Sequence, residues 1–207
     1  EVASALRHGS HYGRNTSGGA IRIITRDPGE EMAYSVDFTA GNYDRRQVRA
    51  TIGGPLGDTL KGSLSLLGNQ RDGTSKNTTL GKDVNAREVE SARGKLVWSP
   101  SDTLEFKLAG DWTEDSGDSG VGTSAFSGYP ADLFVTAANA DPSGYLRTRG
   151  VALTATWEFG GAYTLTSISA WRDLQNTGIL DNDAEARTIL HFFFDADQDQ
   201  LSQEFTL

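Results

Sequence analysis

The chain contains no cysteine among its 207 residues, and it has only five prolines and one methionine. Without cysteine, neither a disulfide framework nor a thiolate metal site can form. Glycine, in contrast, is frequent, with 24 residues. This composition disfavours a helical bundle and favours many strands that are joined by glycine-containing turns.

A basic surplus and a long apolar run are also missing. The net charge of −9 argues against a nucleic-acid-binding surface, which needs clustered lysine and arginine. No stretch approaches the roughly 20 apolar residues that a membrane-spanning helix requires. The strands of a membrane barrel alternate apolar and polar residues, so the lack of such a run does not argue against them.

Period-two alternation dominates the sequence from residue 33 onward and predicts eight strands without an amphipathic helix. Four strands are clear, at residues 60–71, 103–113, 149–159 and 162–172, and four are weaker, at 33–42, 47–53, 91–99 and 200–207. One face of these strands is predicted to point outward, with Leu64, Leu66, Phe106, Leu108, Leu153, Ala155 and Leu165. The opposite phase carries Lys61, Lys107, Thr154 and Thr166.

The connections between these strands differ in length in a regular way. The links at 54–58, 100–102 and 160–161 are short, whereas those at 72–87, 114–146 and 175–199 are long and polar. Short turns on one rim and long loops on the other are typical of an outer-membrane barrel.

Aromatic residues are predicted to lie at the strand ends. Trp98, Trp157 and Phe159 lie beside short turns, and Trp112 and Trp171 lie toward the opposite ends of their strands. A membrane barrel places such rings at both interfaces. Ordinary aromatic residues of a soluble sheet are the alternative interpretation.

A glycine-rich segment near the start is the most specific motif. Residues 12–28 read YGRNTSGGAIRIITRDP, which is a glycine-rich turn, a short β-prone run and a proline stop. A phosphate-binding loop is a weak alternative, because neither GxxxxGK(S/T) nor GxGxxG is present and no helix follows. The string closely resembles the end of the plug domain of TonB-dependent receptors, where such a segment leads into the barrel.

Later segments resemble the same family in the same order, namely 38–46, 53–60, 93–100 and 197–207. The resemblance implies the end of a plug domain at residues 1–30 and the N-terminal, incomplete part of an antiparallel transmembrane β-barrel at residues 31–207. Residues 1–11, EVASALRHGSH, depart from the family pattern. The start at Glu1 in an apparent mid-domain and the stop at Leu207 inside a predicted strand also favour a piece of a longer protein.

The resemblance implies import of a scarce nutrient across the outer membrane of a Gram-negative bacterium. The cargo would most often be a ferric siderophore, with cobalamin, haem or glycans as further options. The partners would be TonB with its inner-membrane energising complex and the lipid of the outer membrane. No enzyme activity and no cofactor are expected.

The resemblance also implies contacts between arginines of the plug and glutamates of the barrel wall. The plug motif comprises Tyr12, Gly13, Arg14, Asn15, Gly18 and Gly19. Strand phase groups Glu204 with Ser202 and Thr206, opposite Leu201 and Phe205, and therefore turns it toward the lumen. We expect Arg14 and Glu204 to pair; a solvated Glu204 is the alternative.

Other chemistry is weakly supported. His8 and His11 lack a third ligand for zinc, and the aspartates at 181, 183, 195, 197 and 199 lack EF-hand spacing, so a solvated loop is expected. His191 has no nucleophile that would make a catalytic pair. Two rival functions are a small eight-stranded adhesin or structural barrel and a soluble β-sandwich that binds carbohydrate.

Overall fold

The computed structural model describes residues 2–3, 20–21, 25–122 and 134–207. Every regular element within these ranges is a β-strand. The strands are β1 (Val2–Ala3), β2 (Ala20–Ile21), β3 (Ala33–Gly41), β4 (Arg45–Pro55), β5 (Leu60–Arg71), β6 (Ser75–Asn77), β7 (Lys82–Val84), β8 (Arg87–Ser101), β9 (Leu104–Asp115), β10 (Val135–Thr136), β11 (Gly144–Phe159), β12 (Tyr163–Asp181) and β13 (His191–Thr206).

Eight strands form one sheet in the order β13-β12-β11-β9-β8-β5-β4-β3. All seven pairings in it are antiparallel. The sheet is open, since its edge strands β3 and β13 do not pair with each other in the described residues. The predicted all-β, antiparallel, eight-stranded architecture is therefore confirmed.

The register places the predicted outward residues on one continuous face. Leu108 lies opposite both Leu96 and Leu153, and Phe106 lies opposite Trp98 and Ala155. Many of these side chains are exposed, including Leu108 at 43%. Within the described residues no second layer covers this apolar face, and a lipid-facing barrel wall requires that arrangement.

Several strands are longer than the alternation predicted, β12 and β13 most of all. β12 continues to Asp181 and β13 begins at His191, so the connection after β12 is residues 182–190. The predicted loop at 175–199 is therefore wrong in its bounds, because residues 175–181 and 191–199 are strand and only residues 182–190 connect them. The same extension makes the predicted end position of Trp171 wrong: this residue lies near the middle of β12.

The long connections lie on one rim, because antiparallel strands alternate direction. Residues 72–86, 116–143 and 182–190 leave from this rim, whereas 56–59, 102–103 and 160–162 turn at the other. A three-stranded sheet in the order β10-β6-β7 forms within the first two of these loops. No helix in the described ranges is long and apolar enough to cross a membrane.

Most fully buried residues belong to these long loops rather than to the large sheet. Val84, Ala138, Ala140 and Ala184 are the buried apolar members, and Asn77, Thr136 and Asp183 are the buried polar ones. Asp181, the last residue of β12, is buried beside them. We call this assembly of the three long connections the loop body.

Candidate functional site

The polar face of the sheet is the surface that the residues preceding β3 cross. Thr25, Arg26 and Asp27 lie against it and contact Lys95 of β8. Further along, Glu30 pairs with Lys61 of β5. At the end of this segment, a Cβ on Gly54 would lie 2.6 Å from Met32 Cα. Glycine at position 54 thus permits the close approach of the segment to the sheet where β3 begins.

Asp27 is the centre of a charged contact, which we call the Asp27 clamp. Its Oδ1 accepts a hydrogen bond from Lys95 Nζ at 2.7 Å, and its Oδ2 accepts one from Lys107 Nζ at 2.7 Å. Lys95 also donates to the carbonyl oxygens of Thr25 at 2.9 Å and Arg26 at 3.3 Å. One carboxylate therefore bridges β8 and β9 and fixes the segment to both.

The electrostatics of the clamp favour an ionised Asp27. Partial burial acts to raise the pKa of Asp27, but the hydrogen bonds and charges of Lys107 and Lys95 outweigh it and hold that pKa below its ordinary value. The Asp27 side chain is 43% exposed, so each ion pair is worth only on the order of 1 kcal/mol. The clamp is therefore directional and can exchange with water.

Glu204 lies on the polar face, as its strand phase predicted. It is opposite Ile168, which is opposite Thr154, which in turn is opposite Lys107. Glu204 and the clamp therefore share one row of residues across four strands. Its predicted partner Arg14, the other plug-motif residues and His8 and His11 lie outside the described residues, so the Arg14–Glu204 pair stays a prediction.

A long-range ion pair also crosses this face. The guanidinium of Arg172 on β12 reaches the carboxylate of Asp111 on β9, with β11 between them. Asp111 therefore pairs with Arg172, two strands away, and not with Arg93, the residue opposite it on β8.

The apolar face ends at a line of aromatic and charged residues. At the short-turn rim Trp98 stacks with Phe106, and Trp157, Phe159 and Tyr163 follow one another. On β12 the apolar band ends at Trp171, where Arg149 lies over the ring and donates to Asp173 at 2.7 Å. From Tyr163 to Trp171 the strand rises about 20 Å along a barrel axis at ~3.3 Å per residue and ~40° tilt, close to the ~25 Å of a membrane band.

The two buried aspartates of the loop body tie its connections together. Asp181 accepts hydrogen bonds from the backbone N–H groups of Asn139 at 2.9 Å, Ala140 at 3.0 Å and Ala184 at 2.8 Å. Asp183 accepts from three further amides, those of Glu185, Ile189 and Leu190. The expectation that these two carboxylates are solvated is wrong. Backbone N–H donors satisfy both carboxylates, which accounts for their burial.

Curated receptors resemble the chain in sequence. No protein-family model matches the chain. The pesticin receptor of Yersinia enterocolitica is 26% identical over 174 residues, and the match covers 79% of this chain and 25% of that receptor. The pesticin receptor of Yersinia pestis is 25% identical over the same length. The chain thus spans about a quarter of the length of these curated relatives.

Solved structures show the same fold. The ferric yersiniabactin uptake receptor FyuA from Yersinia pestis matches with a TM-score of 0.82 at 20% identity, over 99% of this chain and 32% of that chain. The ferripyoverdine receptor of the outer membrane of Pseudomonas aeruginosa matches with a TM-score of 0.65 at 14% identity, over 78% and 22%.

The chain therefore has the fold of two ferric-siderophore receptors, and its curated relatives are receptors as well. The predicted resemblance to TonB-dependent receptors and the predicted outer-membrane location are confirmed at the level of this class of receptor. The relatives are receptors rather than enzymes. The large sheet corresponds to part of a receptor barrel.

The Asp27 clamp was not predicted from the sequence. Lys107 was placed in the polar phase, but its partner lies 80 residues earlier, and the partner of Lys95 lies 68 residues earlier. The available signal was the Asp27-Pro28 pair at the end of the plug-like motif, directly before the first strand of the sheet.

Proposed function

We propose that the chain is part of a TonB-dependent receptor that imports a ferric siderophore across the outer membrane. In this proposal residues 1–30 end the plug and residues 31–207 begin the barrel. The apolar face contacts outer-membrane lipid, the polar face lines the lumen, and the loop body lies outside the cell. TonB and its inner-membrane complex supply the energy, since the outer membrane has no ATP.

One observation carries this proposal. The apolar face is exposed and continuous, while the opposite, polar face receives the segment that precedes β3. A barrel with a polar lumen that holds a plug needs this distribution. The likeness to the ferric yersiniabactin uptake receptor over 99% of the chain supports the same interpretation.

Both rival functions conflict with the sheet. A carbohydrate-binding sandwich would bury the apolar face under a second sheet, yet Leu64, Leu66 and Leu153 are all exposed. A small closed barrel would pair its first and last strands, and within the described residues β3 and β13 are unpaired edges.

The mechanism that follows for the plug is retention by weak polar contacts. A plug must stay in place and yet yield to force from TonB. Charged pairs in a wet lumen meet both needs, because they are directional and worth only about 1 kcal/mol each. The Asp27 clamp and the proposed Arg14–Glu204 pair would act in this way at the junction of plug and barrel.

Deletion of the full-length gene tests the function. We expect the deletion strain to lose growth on one class of ferric chelate in iron-depleted medium, when hydroxamate, catecholate and carboxylate chelates are supplied separately. The full-length gene on a plasmid should restore growth, and the same plasmid in a strain without TonB should not. Unchanged growth on every chelate would contradict the proposal.

A further inference from the structure

The polar face carries a concentration of positive charge that the plug contacts described above do not use up. Three neighbouring strands present seven cations on this face, two on β4, two on β5 and three on β8. The polar-face positions of these strands include no carboxylate. The cations are Arg45, Arg49, Lys61, Arg71, Arg87, Arg93 and Lys95. The chain as a whole has a net charge of −9. This region is therefore positively charged in a protein whose net charge is negative.

Most of these cations already have partners. Lys61 pairs with Glu30, Lys95 with Asp27 and Arg87 with Asp115. Arg45 donates to Gln47, and Arg71 donates to the carbonyl of Asn85. Arg49 and Arg93 differ, since neither forms an ion pair or hydrogen bond within the described part of the chain. Asp111, opposite Arg93, is held instead by Arg172.

The two free arginines line one concavity. It has a volume of about 480 Å³, and its wall includes Thr51, Ser65 and Ser91 between Arg49 and Arg93. Both arginines are exposed to it. Because β4 and β8 flank β5, their backbones lie about 10 Å apart. This volume and spacing suit a small organic molecule with more than one anionic group.

The hydroxyl groups of the concavity favour the same kind of ligand. Thr51 donates to the Ser65 oxygen at 3.2 Å, which leaves the Ser65 hydroxyl hydrogen free to donate to a ligand. Lys95, engaged by Asp27, closes one side. No carboxylate of the described residues lines the wall. Guanidinium groups bind carboxylates with two parallel hydrogen bonds, so the concavity is a donor-rich site for such an anion.

We propose that Arg49 and Arg93, with Ser65 between them, form a lumen-wall binding site for a carboxylate-bearing anion of small-molecule size. We call it the anion cradle. The inference rests on the proposed import function, which supplies such an anion as cargo moving past the barrel wall. The anion cradle specifies the class of cargo further. The cargo, or one of its iron-chelating arms, would carry free carboxylates.

The competing occupant is a carboxylate of the plug. Asp27 and Glu30 already occupy Lys95 and Lys61 in this manner, so a further acidic residue of the plug could occupy the two arginines permanently. The two occupants differ in one respect: a plug carboxylate would exclude an added anion from the resting receptor.

The experiment uses crystals of the full-length receptor soaked in a triiodinated isophthalate, a dicarboxylate with three strong anomalous scatterers. We expect its iodine triangle beside Arg49 and Arg93. We expect binding in detergent solution, measured by titration calorimetry, to weaken roughly tenfold or more for each arginine changed in Arg49→Gln and Arg93→Gln. This readout does not involve iron uptake, so its failure is distinct from failure of the import function.

The matched control is Arg46→Gln, because Arg46 is exposed, pairs with Asp44 at 2.8 Å and points away from the cradle. This variant should bind the probe as the unchanged receptor does. Three results would each overturn the proposal: a plug carboxylate on both arginines, binding at crystal concentration only, or equal affinity in the control and the double variant.

Discussion

Arg172 and Asp111 form an ion pair across an intervening strand: Arg172 Nη1 lies 2.9 Å from Asp111 Oδ1 and 2.8 Å from Oδ2. The residue between them on β11 is Gly150. A Cβ at that position would lie 2.6 Å from Arg172 Nη1 and 3.0 Å from the carbonyl oxygen of Trp171. Glycine at position 150 is therefore what lets the guanidinium cross β11.

Gly150→Ala should displace the Arg172 guanidinium from Asp111. The pair is partly exposed, with Arg172 at 52% and Asp111 at 23%, so we expect a loss of about 1 kcal/mol in the free energy of unfolding. Urea titration of the full-length receptor in vesicles measures this loss. Arg172→Gln combined with Gly150→Ala should cost less than the sum of the two single changes.

Gly68→Ala is the matched control, since a Cβ there would meet nothing within 4 Å. This substitution should leave the unfolding free energy within ~0.5 kcal/mol of the unchanged receptor. Additive effects of Gly150→Ala and Arg172→Gln would contradict the crossing role of Gly150.

The Asp27 clamp should depend on pH. The pKa of Asp27 is lowered in the folded protein by Lys107 and Lys95 against the effect of burial. Its contribution is therefore complete above the ordinary aspartate pKa of about 3.9 and is lost as the pH falls through the lowered value. Asp27→Asn should raise amide hydrogen exchange in residues 25–31 roughly fivefold at neutral pH, as expected for ~1 kcal/mol.

The difference between the unchanged receptor and Asp27→Asn should shrink at low pH, where both lack the charge. Asp44→Asn removes an exposed carboxylate that pairs with Arg46 and should leave exchange in this segment unchanged. Exchange that is equal in the Asp27 variant and the unchanged receptor at neutral pH would show that the clamp does not hold the segment.

A charge on the apolar face should be far more costly than one on the polar face. Leu108 lies between Leu96 and Leu153 in the middle of the apolar band. Leu108→Lys should make folding into lipid vesicles less favourable by about 2–4 kcal/mol. Thr166→Lys, between Thr156 and Thr206 on the polar face, should cost much less. Equal costs at both positions would contradict the assignment of the faces.

The predicted Arg14–Glu204 pair is tested by a charge swap in the full-length receptor. Glu204 lies on the polar face in the row of the clamp residue Lys107. Arg14→Glu alone should impair iron uptake, and Glu204→Arg in the same chain should restore part of it, because the swap recreates an ion pair. A double variant no better than the worse single one would remove this pair from the mechanism.

Much of the large sheet could be predicted because alternation is a local property. Five residues are enough to identify the outward face of β9, because Leu104, Phe106 and Leu108 alternate with polar residues. Alternation fades beyond Trp171, where the sequence reads RDLQNTGILD. Local alternation therefore predicts a loop where the upper halves of β12 and β13 lie.

The loop body and the clamp could not be predicted, because their contacts join distant parts of the chain. The Asn77 side chain donates to the carbonyl of Ala138, 61 residues later, and Asp27 meets Lys107 across 80 residues. Nothing in the local sequence distinguishes Asp181 from a solvated loop aspartate. Only the assembled loops show that it is enclosed by amides.

Uptake of ⁵⁵Fe by cells tests energised import. Cells that carry the full-length gene as their single siderophore receptor are given a ⁵⁵Fe-labelled chelate on which that gene supports growth. We expect surface binding in the cold and accumulation on warming, with accumulation abolished and surface binding retained when TonB is deleted. Accumulation that continues without TonB, or its absence for every chelate tried, would contradict the account.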